Sequence, residues 1–176
     1  MTDQISCQAI SGTWNTSTST CTISSFSLNP DDLLTVDNSV FPNISLAITG
    51  TLDNNGGTIH NSGTIIINNE GTLNNLAKFV NNGGTINNFG TIHNNELSAI
   101  INNGGTIANY AIIINDVKGT ITNSGTMRNM CGGTITSDGN LIGIPVNNTS
   151  CATNPKSSTY LNFHLQFPYL QLVFFH

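Results

Sequence analysis

The carboxylates with the most suggestive spacing in this chain are Glu96 and Asp116, twenty residues apart, with Lys118 close behind. Glycoside hydrolysis needs two facing acids, one to protonate the leaving group and one to attack or to activate water. A surface charge cluster has the same composition and is worth only about 0–1 kcal/mol. The sequence favours the cluster, because among the outward positions that follow its apolar strand residues only Asp53 is acidic. His60 and His93 fall on different faces of the repeat described below, so a shared metal is not expected. Cys7, Cys21, Cys131 and Cys151 lack the C-x-x-C spacing of zinc and dithiol redox sites. They form two sequence-local pairs in an Asn- and Thr-rich chain, which points to disulfides and an oxidising compartment. The Gly-x-Ser-x-Gly elbow and the Gly-Gly-x-Gly-x-Asp calcium word are both absent. The expectation is a non-enzyme with no catalytic residue, no metal site and no cofactor.

Composition narrows the partners. Lys and Arg total 4 against 9 Asp and Glu, too few cations to follow a phosphate backbone, so nucleic acid is excluded. Asn, Gly and Thr are poor helix formers, which excludes a helical bundle. No stretch has the roughly 18 uninterrupted apolar residues of a membrane span. Met1-Thr-Asp-Gln-Ile-Ser-Cys7 lacks the basic and apolar regions of a signal peptide, so export would use a leader outside this numbering or another route. Asn15, Asn43, Asn147 and Asn148 open N-x-Ser/Thr triplets that can accept N-glycans in an exported chain.

The elements that position all of these come from a repeat. Between about residues 50 and 142 the chain cycles through words such as Gly57-Thr-Ile, Gly63-Thr-Ile, Gly84-Thr-Ile and Gly105-Thr-Ile, mostly 6 to 8 residues apart. Every third word recurs after about 20 residues, as at Thr64, Thr85, Thr106 and Thr126. Three short strands per twenty-residue unit predict an all-β, three-sided parallel β-solenoid in which each coil stacks on the last. Strand alternation assigns three inward columns: Ile65, Ile86, Ile107 and Met127; Leu52, Leu73, Ile92, Ile112 and Ile135; Ile59, Val80, Ile100, Ile121 and Leu141. Asn recurs two residues on, at Asn54, Asn75 and Asn94, at Asn61, Asn82, Asn102 and Asn123, and at Asn88, Asn109 and Asn129. These sets predict structural ladders, since an Asn amide can bond its counterpart one coil away. Regular paired Thr columns, as in flat ice-binding arrays, are missing.

The repeat is expected to occupy residues 45–146. Residues 1–44 read as a disulfide-bearing N-terminal cap, with Trp14 packed over the coil end. Residues 147–158 read as a linker. Residues 159–176 read as an extended strand, in which Leu161, Phe163, Leu165, Phe167, Leu170, Leu172 and Phe174 occur at alternate positions on each side of Pro168. Such an apolar strand aggregates unless it is paired. It either folds back on its own solenoid or is donated to a neighbour, and those seven residues are the expected subunit contacts. Solenoid ends also template head-to-tail stacking.

The words Asn-Asn-Gly-Gly-Thr-Ile, starting at Asn54, Asn81 and Asn102, and the opening Cys7-x-x-Ile-x-Gly-Thr-Trp14 with Cys21-Thr resemble the Asn/Gly-Thr-Ile repeats of bacterial and archaeal surface and fibre β-solenoid proteins. That resemblance implies a structural role at the cell surface or outside the cell. The expected function is a self-assembling filament or array subunit, a homo-oligomeric polymer with Cys7–Cys21 and Cys131–Cys151 disulfides. An adhesin or carbohydrate-binding module, including a viral fibre module, is the first alternative. A polysaccharide-active enzyme using Glu96 and Asp116 is the second.

Overall fold

The computed structural model describes residues 3–39 and 43–151. A short helix α1 (Gln4–Ala9) and strand β1 (Thr13–Asn15) lead into the first coil, made of β2 (Thr20–Leu28) and β3 (Leu33–Val36). The second coil is β4 (Ser45–Asn54) and β5 (Thr58–Asn61). β2 and β4 are long enough to serve two faces each. The third coil is β6 (Thr64–Ile67), β7 (Thr72–Asn75) and β8 (Lys78–Asn82), and the fourth is β9 (Thr85–Asn88), β10 (Thr91–Asn94) and β11 (Ala99–Asn103). The fifth is β12 (Thr106–Asn109), β13 (Ile112–Asn115) and β14 (Thr120–Asn123). The sixth is β15 (Thr126–Asn129), β16 (Thr134–Ser137) and β17 (Asn140–Gly143), after which β18 (Asn147–Asn148) begins another turn.

Apart from the β1–β2 hairpin, the strands pair in parallel with their counterparts one coil away. Three stacked ladders result, so the protein is a three-sided parallel β-solenoid. Ile65, Ile86 and Ile107 lie one over another. The stack begins earlier than the repeat words suggest. β2 and β3 pair in parallel with β4 and β5, so Thr20 to Val36, within the segment expected as a cap, form the first coil. The part that caps is α1 and β1, with Asp3 closing the helix N-terminus through a capping box with Ser6.

Two column assignments are corrected. Phe79, not Val80, pairs with Ile59 and Ile100, and it is fully buried. Ile113, not Ile112, pairs with Ile92, and Ile112 faces solvent. Both errors arise where neighbouring residues are equally apolar, as in Lys78-Phe-Val and Ile112-Ile-Ile. The Asn two positions beyond the inward residue resolves the second, since Asn115 follows Ile113, whereas Asn81 and Asn82 fit Phe79 and Val80 equally and the strand register decides for Phe79. The space left between the columns around Phe79, Ile86 and Ile100 is about 10 Å³. That is no more than about one water, and apolar walls keep such a void dry.

The ladders are interior. Asn54, Asn75, Asn94 and Asn115 on one face, and Asn61, Asn81, Asn102 and Asn123 on another, are essentially inaccessible to solvent. Asn81, rather than Asn82, therefore belongs to the second set. Period-2 alternation explains the burial, because a residue two beyond an inward side chain also points inward. Each amide donates to the next: Asn54 Nδ2 to Asn75 Oδ1, Asn75 to Asn94, and Asn94 to Asn115, at 2.7–2.8 Å. The same Nδ2 also donates to corner carbonyls. Asn102 reaches Gly105 O and Thr126 O besides Asn123 Oδ1. One side chain thus links its own coil's corner to the coil above. A Cβ on Gly90 would run into the carbonyl oxygens of Gly71 and Asn68, which explains why the corner before a strand is glycine.

Asn102→Ala removes several of these bonds and leaves Asn123 Oδ1, inside the core, with the longer 3.3 Å bond from Gly125 N. The expected cost is about 2–4 kcal/mol in urea unfolding. Asn103→Ala, an exposed neighbour, should change stability by less than about 0.5 kcal/mol.

Candidate functional site: the open end of the solenoid

The residues expected to do chemistry are not gathered into one site. Lys118 Nζ donates to Glu96 Oε1 at 2.8 Å, and this bond, then the carboxylate charge, raises the Lys118 pKa above the usual 10.5. Asp116 pairs instead with His93, Oδ2 to Nε2 at 2.9 Å. Each carboxylate is held by a different base on an exposed corner of the stack. His60 lies on the third face and His93 on the second. Among the described residues no group of three His, Cys, Asp or Glu side chains is arranged to hold a metal ion. No described helix is long and apolar enough to cross a membrane.

Sequence reasoning missed an aromatic pair. Phe89 and Tyr110 occupy the same corner in successive coils and stack with centroids 4.6 Å apart and ring planes 15° apart, both substantially exposed. The signal was the recurrence of an aromatic after Asn88 and Asn109, each closing a strand. A polar groove of about 420 Å³ lined by Thr49, Asn68, Asn69 and Glu70 opens on the same corner of earlier coils.

The strongest feature is the difference between the two ends. In the first coil Ile23, Leu28, Leu34 and Val36 are at most 5% exposed. Ile10 and Trp14 pack against this core, and β1 pairs with the Thr20–Thr22 part of the β2 edge, while β3 is the outermost strand of its ladder. Trp14 therefore covers a coil end, as expected. Head-to-tail stacking would have to use this closed end. In the sixth coil the inward residue Leu141 is 43% exposed, and Ile142 and Ile144 are 53% and 54% exposed. Ile135 and Val146 are only partly covered, and with Asn129, Leu141 and Asn148 they line a groove of about 200 Å³. Among the described residues β16 and β17 are the outermost strands of their ladders.

The amide ladders also run out here. Ser137 stands where Asn115 would need another Asn, and Asn115 Nδ2 donates to its hydroxyl. Gly143 takes the position above Asn123, whose Nδ2 turns to Ile144 O. Among the described residues only Asn148 continues a ladder, accepting from Asn129 at 3.3 Å.

Both disulfides form as expected. Cys7–Cys21 is wholly buried under the cap, whereas Cys131–Cys151 lies exposed on the rim of the open end with Cα atoms 4.7 Å apart. Asn15, Asn43, Asn147 and Asn148 are all exposed. Asn15 Oδ1 accepts from the Ser17 amide and hydroxyl, and Asn43 adopts φ 69°. The seven expected subunit-contact residues between Leu161 and Phe174 lie outside the described residues. Comparison with protein families, with curated proteins and with solved structures finds no match.

Exposure should decide reductive order. Under native conditions a mild thiol reductant is expected to open Cys131–Cys151 while Cys7–Cys21 survives. Alkylation followed by peptide mass spectrometry reads the order, and simultaneous opening would contradict the burial of the cap.

Proposed function

We propose that this chain is an extracellular structural protein, a subunit of a filament or surface array held together by contacts between coil ends and by residues 159–176 donated to a neighbour. One observation carries this reading: the apolar core is covered at the first coil and partly bare at the sixth. There unpaired strand edges and partly bare inward residues, Ile135 and Leu141, stand together. Exposed edges template strand addition, and an apolar strand with alternate polar residues is the fitting addend. Leu161, Phe163, Leu165 and Phe167, alternating with Asn162, His164 and Gln166, make such a strand. The two disulfides suit an oxidising location outside the cell or on its surface. The likeness to Asn/Gly-Thr-Ile repeats of archaeal and bacterial surface and fibre proteins supports the same role. Glu96 and Asp116 are each paired with a base on an open corner, an arrangement suited to a solvated surface rather than to catalysis.

The test is truncation after Ser158. Full-length protein should assemble and the truncated chain should remain monomeric, as read by sedimentation velocity and negative-stain microscopy. A full-length chain that stays monomeric at high concentration overturns the reading.

A carbohydrate-binding or adhesive module is a second reading, favoured by the exposed Phe89–Tyr110 stack. Aromatic surfaces flanked by amides and hydroxyls suit sugar faces. It requires that full-length protein bind on a glycan array and that Tyr110→Ala weaken binding at least tenfold. Equal binding by both proteins removes it.

A further inference from the structure

We infer that the partner at the open end is the same end of a second copy: the unit of assembly is a two-fold pair with exchanged 159–176 segments, not a head-to-tail stack. This rests on reading the open end as the association surface.

The acceptor and the root of the donor lie at one end. Cys151 is held beside Cys131 on the rim of the sixth coil, so the chain beyond it departs from there. Residues 152–158 span at most about 25 Å when extended, so the donated segment can start at the groove lined by Ile135, Leu141 and Val146. In a head-to-tail stack that groove would meet the first coil of the next copy. There Ile10 and Trp14 already pack on the core, and β1 occupies the edge of β2. The edges of β16 and β17, unpaired among the described residues, would face the free edges of Ser25–Leu28 and β3 only across a first face on which β18 of one copy and β1 of the next already stand. An isologous contact brings two open ends together and satisfies both at once.

Charge points the same way. The sixth coil carries Arg128 and Asp138, of opposite sign, whereas the first-coil loops carry three acids, Asp31, Asp32 and Asp37. The centre of a self-complementary interface is poor in like charges, and the sixth coil fits that better than the first.

Size explains the exchange. A coil end whose sides are four or five residues long measures about 15 Å on an edge. It offers on the order of 300 Å² with its side chains, well under the roughly 800 Å² per partner of a stable interface. Residues 159–176 would reach about 60 Å if extended, several times the edge of their own end. Laid across the junction, the two segments cover both ends and supply the missing area. Any larger array then grows from such pairs through other surfaces.

The native cysteines of the described residues are all in disulfides, so an added thiol can be addressed alone. Ile142→Cys marks the open end and Leu33→Cys, also exposed, marks the closed one. Each is made in the full-length chain and treated with a short bis-maleimide, alone and as an equimolar mixture. The expected result is an Ile142→Cys homodimer, no Ile142→Cys/Leu33→Cys heterodimer, and a dimer as the smallest assembled species in sedimentation. Cross-linking between the two variants overturns the pair while leaving self-association standing. A full-length chain that sediments as a monomer at every concentration overturns the underlying reading and the pair together.

Discussion

The interaction on which this structure depends is the hydrogen bond from one buried Asn amide to the next, one coil above. The aliphatic columns exclude water, but burial of this kind is non-directional and would tolerate a slip between coils. The amides do not. Asn75 accepts from Asn54 and donates to Asn94, its partners 21 and 19 positions away in sequence, so each coil varies in length only as its corners allow. The approximately 4.8 Å rise between stacked strands matches amide-to-amide bonding. Asn suits this position for several reasons. It carries a donor and an acceptor on a short arm. Asp would have no donor and would put unpaired charges in a dry core.

The amide chains also have a direction, and the two ends of the protein reflect it. Each Nδ2 points toward later coils. The first Asn on two faces therefore lies over apolar Leu28 and Val36, and Asn54 Oδ1 and Asn61 Oδ1 are buried without a hydrogen-bond partner. A buried acceptor left unsatisfied costs roughly 1–3 kcal/mol. The first coil exchanges ladder continuity for aliphatic packing beneath a disulfide-pinned cap. At the sixth coil the donors are met by Ser137, Ile144 O and Asn148. The donors are satisfied there, but among the described residues the inward Leu141 and Ile135 are left partly bare. One end is closed at a polar cost, and the other keeps its hydrogen bonds and exposes its core.

Surface chemistry follows from the same geometry. Outward positions meet their counterparts every coil, so residues about twenty apart become neighbours. Lys118 finds Glu96 in this way, Phe89 finds Tyr110, and Asn74 donates to Asp53. Asp116 goes to His93 rather than joining Glu96, because the two acids occupy successive positions of a corner whose bases lie on different sides. The sheet register sorts the charges into pairs and leaves no acid–acid dyad.

The repeat words were enough to determine the three-sided solenoid, the inward columns and most of the ladders, because Gly, Thr, an aliphatic residue and Asn each occupy one position of a strand-and-corner unit. Where the words degenerate, residue type alone was insufficient. Phe79 and Val80 are both apolar and each has an Asn two residues on, and hydrogen-bond register selected Phe79. The first coil was hidden for a similar reason: Thr20 to Val36 carry no Gly-Thr-Ile-x-Asn word, and only parallel pairing with the next coil shows that they belong to the stack. The contrast between a covered and an uncovered end was also decided by tertiary structure. Burial at an end depends on what lies across it, and a periodic sequence describes each coil by its neighbours and holds no record of where those neighbours stop.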